Sequence, residues 1–136
     1  MVHKYQEDWR PTQTPHIAMP IEMLTKELRV STTAGTADLT PTAGKRIRVW
    51  GFFISLTVTT ALTSTLRSTL AFGTGHTTDD TKVLASFRSY KGDDARSSWI
   101  GGINRVGEVN EVVKLTNVTF SAGGVITRAV VYYSEE

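Results

Sequence analysis

The 136-residue chain has no cysteine, which excludes a disulfide framework, a thiolate zinc site and a thiol nucleophile. Proline is nearly absent too, with four residues (Pro11, Pro15, Pro20, Pro41), none after position 41. There are three histidines, His3, His16 and His76, too few for a histidine-based metal centre. The longest apolar run, Trp50 to Leu56, is interrupted by Gly51 and Ser55 and is far too short to cross a bilayer. The first ten residues carry Lys4, Glu7, Asp8 and Arg10 with no apolar stretch, so no secretory leader is expected. An excess of one charge is missing as well: fifteen basic against thirteen acidic residues leave +2. A protein whose main task is to neutralise nucleic-acid phosphates needs a larger imbalance.

Threonine is abundant, with 21 Thr and 10 Ser making up nearly a quarter of the chain. Branching at Cβ restricts χ1 and favours extended backbone, so the bias predicts sheet. Because proline neither continues a helix nor donates to a ladder, its clustering divides the chain into an extended N-terminal arm, residues 1–24, and a β domain, residues 25–136. A single domain of this size buries about two thirds of its unfolded surface, enough for one core.

Alternation predicts the strands. Lys26 to Ser31 places Leu28 and Val30 on one face, and a turn-like stretch, Thr33 to Ala37, follows. A short helix over Pro20 to Leu28, with Ile21, Leu24 and Leu28 on one side, competes with that first strand. Arg46 to Thr59 is the strongest strand, and its alternation changes phase: Ile47 and Val49 share one face, then Trp50, Phe52, Ile54, Leu56 and Val58 the other. A bulge at or near Gly51 reconciles the halves. Leu66 to Phe72 alternates cleanly, Lys82 to Tyr90 points Val83, Ala85 and Phe87 inward, and Trp99 to Ile103 forms a short strand weakened by Gly101-Gly102. Glu111 to Ser121 and Val125 to Ser134 read as a hairpin across Ala122-Gly123-Gly124. Short, evenly spaced strands of this kind imply an all-β fold, an antiparallel β-sandwich of jelly-roll type.

Reactive constellations are sparse. No Gly-x-Ser-x-Gly elbow is present, and a triad built on His76 with Asp79 or Asp80 has only loop spacing to position it, so no catalytic residue is assigned and no enzyme activity is expected. Asp79-Asp80 and Asp93-Asp94 are oxygen donors in turn-like segments; they read as turn formers, and no metal or other cofactor is expected. Ala43-Gly44-Lys45 fails the phosphate-loop pattern because Arg46 follows the lysine and Leu39 holds the upstream glycine position. Lys45, Arg46 and Arg48 read as an exposed strand entrance, and Asn117-Val118-Thr119, formally a sequon, falls inside a strand.

Strand positions account for most aromatics. Tyr5, Trp9 and Trp99 are the exceptions. Tyr5 and Trp9, with Ile17, Met19 and Ile21, belong to an arm that cannot bury them in an element of its own, so they are expected to be interface anchors on another chain; an arm folded back on its own domain is the alternative. His76, Asp79, Asp80, Asp93, Asp94 and Trp99 are candidate surface contacts of the loops.

From Thr40 onward the chain resembles the small β-sandwich proteins encoded among structural genes of tailed bacteriophages. The likeness is carried by Ala43-Gly44-Lys45-Arg46-Ile47-Arg48-Val49, the phase-shifted strand to Val58, the glycine-rich reversal and the ending Val130-Val131-Tyr132-Tyr133-Ser134-Glu135-Glu136. It implies a virion component: a capsid decoration or cement protein that forms homo-oligomers and binds the major capsid protein, with no nucleic-acid or membrane partner. A tail-associated or host-recognition protein that holds a surface polysaccharide is the alternative, for which Trp99 beside Asp93-Asp94 is the matching feature.

Overall fold

The computed structural model describes residues 22–73, 81–89, 95–119 and 123–136, and among them there is no helix. Eight strands follow in order: β1 Leu24–Val30, β2 Gly35–Leu39, β3 Ile47–Thr60, β4 Leu66–Phe72, β5 Val83–Ser89, β6 Ala95–Val106, β7 Val113–Thr119 and β8 Gly124–Glu135. They form two four-stranded sheets, β1-β8-β3-β6 and β2-β7-β4-β5, with every neighbouring pair antiparallel. The chain is an all-β sandwich, and its strand order is that of an eight-stranded jelly roll.

β3 carries the design of the core. Ile47 and Val49 are buried, the register then shifts between Val49 and Gly51 against both β6 and β8, and Phe52, Ile54 and Leu56 continue inward. Trp50, expected to share a face with Phe52 and Ile54, is instead the half-buried extra residue of the bulge, and this extra residue returns Phe52, Ile54 and Leu56 to the face of Ile47 and Val49 while Phe53 points outward. Leu28 and Val30 from β1, Leu70 and Phe72 from β4, Val113 and Leu115 from β7, and Ala129 and Val131 from β8 close over that face. A smaller cluster, Leu56, Leu62, Leu66 and Val125, fills one end.

Several expectations are corrected. The helix expected over Pro20 to Leu28 is contradicted in its described part: Leu24 to Val30 is extended and paired with Tyr133 to Thr127 of β8, because only that alternation buries Leu28 and Val30 together. The stretch Thr33 to Ala37 turns only at its start. From Gly35 it is edge strand β2, hidden from pattern reading because Leu39 is its one fully buried residue. On β5 a register shift opposite Leu70 and Ala71 brings Leu84, with Ala85, onto the core, and Val83 pairs with Ala71 beyond the shift. β6 runs for twelve residues through Gly101-Gly102 instead of stopping at five, since its register irregularity lies opposite the β3 bulge.

The predicted hairpin of the last two strands is absent. β7 lies between β2 and β4 in one sheet, and β8 between β1 and β3 in the other. Gly123 (φ 134°) makes the crossing possible: a Cβ there would lie 2.7 Å from the Ala61 carbonyl oxygen and 2.9 Å from that of Thr60. The glycines therefore serve a tight passage from sheet to sheet.

Candidate interaction face

The outer surface of the β1-β8-β3-β6 sheet carries the most conspicuous apolar feature among the described residues. Two neighbouring rows of cross-strand partners define it. One runs Glu27, Val130, Phe53, Trp99, and the next runs Thr25, Tyr132, Gly51, Gly101. Because side chains alternate faces, partners two residues apart share the same side of the sheet. Trp99 is 57% exposed and Phe53 38%. Gly51 and Gly101 leave the β3 and β6 positions of the second row without side chains, and the Trp99 indole leans into that space. A Cβ on Gly101 would lie 3.1 Å from its Cζ2 atom. The ring ends edge-on to Tyr132, with centroids 5.4 Å apart and planes at 86°, a geometry favoured by the aromatic quadrupole.

Polar groups frame the patch. On one side lie Arg29, Arg128, Ser55 and Ser97, with Arg128 Nε 3.7 Å from Glu27 Oε1. On the other the half-buried Trp50 donates from Nε1 to Ser134 Oγ at 3.0 Å, and the Arg48 guanidinium stands 5.9 Å from its ring centroid. Arg48 is itself held by a bidentate pair with Glu136 (Nη2 to Oε1 2.6 Å, Nε to Oε2 3.1 Å) and by Asn104 Oδ1. The Arg48 bond, followed by the charges of Arg48 and Arg46, holds the Glu136 carboxyl below the usual carboxylate range. Glu135 is lowered as well, by the backbone N–H and hydroxyl of Thr42, which donate at 2.9 and 2.8 Å, and by the charge of Lys45. The basic run Lys45, Arg46, Arg48 is thus answered by the acidic pair Glu135-Glu136.

The sandwich also contains a polar link. Asn117 of β7 accepts at Oδ1 from Ser68 Oγ (2.9 Å) and Thr127 Oγ1 (3.1 Å), and its Nδ2 donates to the Thr32 carbonyl and to Thr127 Oγ1, both at 3.0 Å. Ser68, Asn117 and Thr127 are all buried. The Asn117 sequon is therefore closed in the folded protein, as its place within a strand suggested. Elsewhere, Lys82 Nζ contacts Glu111 Oε2 at 2.6 Å and Glu108 Oε1 at 3.4 Å, an ion-paired cluster near one end of the sandwich.

Of the candidate residues read from the sequence, Trp99 lies on this face. Tyr5, Trp9, Ile17, Met19 and Ile21, together with His76, Asp79, Asp80, Asp93 and Asp94, fall outside the described residues. Phe53 and Tyr132 were overlooked as partners of Trp99. Phe53 could have been noticed as the one aromatic out of step with Phe52 and Ile54, but its meeting with Trp99 depends on register. Among the described residues no group of three or more His, Asp or Glu is placed to hold a metal ion, and no helix is long and apolar enough to cross a membrane. No family model matches the chain, and no curated protein matches it.

Proposed function

We propose that this chain is a non-enzymatic structural protein of a tailed-phage virion, a capsid decoration or cement protein that forms homo-oligomers and binds the major capsid protein. The carrying observation is the exposed aromatic face built on a stiff sheet: Trp99, Phe53 and Tyr132 form a surface suited to a protein partner, since large aromatic side chains dominate the energetics of such contacts. The jelly roll is compatible with this reading without requiring it, because the same architecture serves capsid and lectin domains alike. The sequence likeness from Ala43 through Val58 and at the Tyr132-Tyr133 strand points the same way.

Labelling the chain in purified particles and counting copies against the major capsid protein tests the proposal. Hundreds of copies per particle are expected, and none in the particle would overturn it. A handful of copies at the tail would favour the second reading, host recognition through a surface polysaccharide. Trp99 gives that alternative its specific observation, since a flat exposed indole is a surface on which a sugar ring can stack.

A further inference from the structure

The Trp99 face and the arm have matching properties. The geometry points to the outer surface around Trp99, Phe53 and Tyr132 as the docking site for the N-terminal arm of a second copy of this chain. This inference rests on the assembly reading above and adds to it the surface that the arm would occupy.

The arm joins the domain beside that surface. Glu22 and Met23 are exposed, Leu24 pairs with Tyr133, and Thr25 is the first member of the row that continues through Tyr132 and Gly51 to Gly101. Three strand spacings separate Thr25 from Gly101, about 14 Å. Trp9 precedes Glu22 by thirteen residues, which span about 43 Å when extended. Pro11, Pro15 and Pro20 favour such an extended path. An arm folded onto its own face would use only its last few residues and would carry Tyr5 and Trp9 far past the patch. An arm crossing to a neighbour has the length it needs to place those aromatics on that neighbour's Trp99 face. The chemistry agrees: apolar anchors set among charges of both signs, Lys4, Glu7, Asp8 and Arg10, meet an aromatic shelf that also carries both signs, Arg29, Arg128 and Glu27.

The test uses the full chain. A benzophenone amino acid replaces Gln6, leaving Tyr5 and Trp9 in place, and isotopically heavy and light proteins are mixed, irradiated and digested. Heavy–light cross-links joining the arm to peptides of β3, β6 or β8 are expected. In parallel, Trp99→Ser is expected to weaken self-association in sedimentation at least about tenfold, as loss of a central aromatic anchor does, while its melting curve stays near that of the wild type because the indole is largely exposed. Cross-links confined to single copies overturn the inference in favour of an arm folded on its own domain. Heavy–light links to other surfaces, or an unchanged association constant in Trp99→Ser, overturn the docking face while leaving an assembly role for the arm. A wild-type chain that stays monomeric at all concentrations overturns the self-docking inference as well, and particle copy number then decides the assembly reading separately.

Discussion

Asn117 and Thr127 are ten residues apart in sequence yet face each other from opposite sheets, joined by hydrogen bonds of 3.0 and 3.1 Å. On β4 the inward series runs Leu66, Ser68, Leu70, Phe72, and on β8 Val125, Thr127, Ala129, Val131, so the polar member of each strand falls between the two apolar clusters. A buried polar group is tolerated when its partners are in place and costly when one is removed. Replacing Asn117 by Ala strands the Ser68 and Thr127 hydroxyls and the Thr32 carbonyl, and urea unfolding should show a loss of about 2–4 kcal/mol. Asn117→Asp should instead gain stability as the pH falls, since burial favours the protonated carboxyl. A shift below about half a kcal/mol for the alanine variant would mean that water replaces the amide at little cost.

The bulge makes a second, paired prediction. Phe52 is fully buried and Phe53, its neighbour, is more than a third exposed on the opposite face. Phe52→Ala should cost about 3–5 kcal/mol in chemical denaturation, as large core truncations do, and Phe53→Ser less than about 1 kcal/mol. Equal losses would contradict the phase assigned to β3 after Trp50.

That bulge was readable in the sequence because a period of two is written directly in the side chains, and one displaced residue leaves a visible change of phase. The sandwich class was readable for the same reason. The Gly123-Gly124 passage was misread because glycine marks a close approach of backbone and says nothing about which strands lie on either side. That choice is made by long-range pairing, which sets β7 between β2 and β4 and β8 between β1 and β3. β2 escaped notice because an edge strand with a single buried residue, Leu39, has almost no pattern to read. At the candidate face Trp99 stood out by its context, whereas Phe53 and Tyr132 join it only through the registers of β3 with β6 and β8.

Acid should expose the role of the last two glutamates. Both have folded pKa values below the ordinary 4.5, so their bonds to Thr42 and Arg48 contribute stability above that value and lose it as the pH falls through the lowered one. The Glu136 side chain is 43% exposed, and solvent and salt keep its share small. Melting temperatures measured from pH 6 down to pH 3 should fall more steeply for the wild type than for an E135Q/E136Q variant. Parallel curves would show that these carboxylates are paired no better when folded than when unfolded.

Chelation addresses the aspartate loops. If Asp79-Asp80 and Asp93-Asp94 are turn formers, EDTA should move the melting temperature by less than about a degree, because only a ligand bound to the folded state raises it. A drop of many degrees that calcium reverses would identify a cation site there.

The arm yields the most discriminating truncations. The β1 ladder with β8 begins at Leu24 opposite Tyr133, so a cut after residue 20 leaves every described strand and core residue in place. That variant should stay folded by far-UV circular dichroism, with a melting temperature close to the full chain, while losing self-association and attachment to undecorated particles. A cut after residue 30 is a different perturbation. It removes Leu28 and Val30, both almost fully buried, and leaves one edge of β8 unpaired along seven residues. Losing two core side chains at about 2–5 kcal/mol each consumes most of the stability of an ordinary domain, so this longer truncation should unfold or aggregate. Binding of the shorter truncation to particles, and its sedimentation, provide the comparison. If it associates as well as the full chain, the arm carries no assembly function, and if it unfolds, residues 1–20 pack within their own domain.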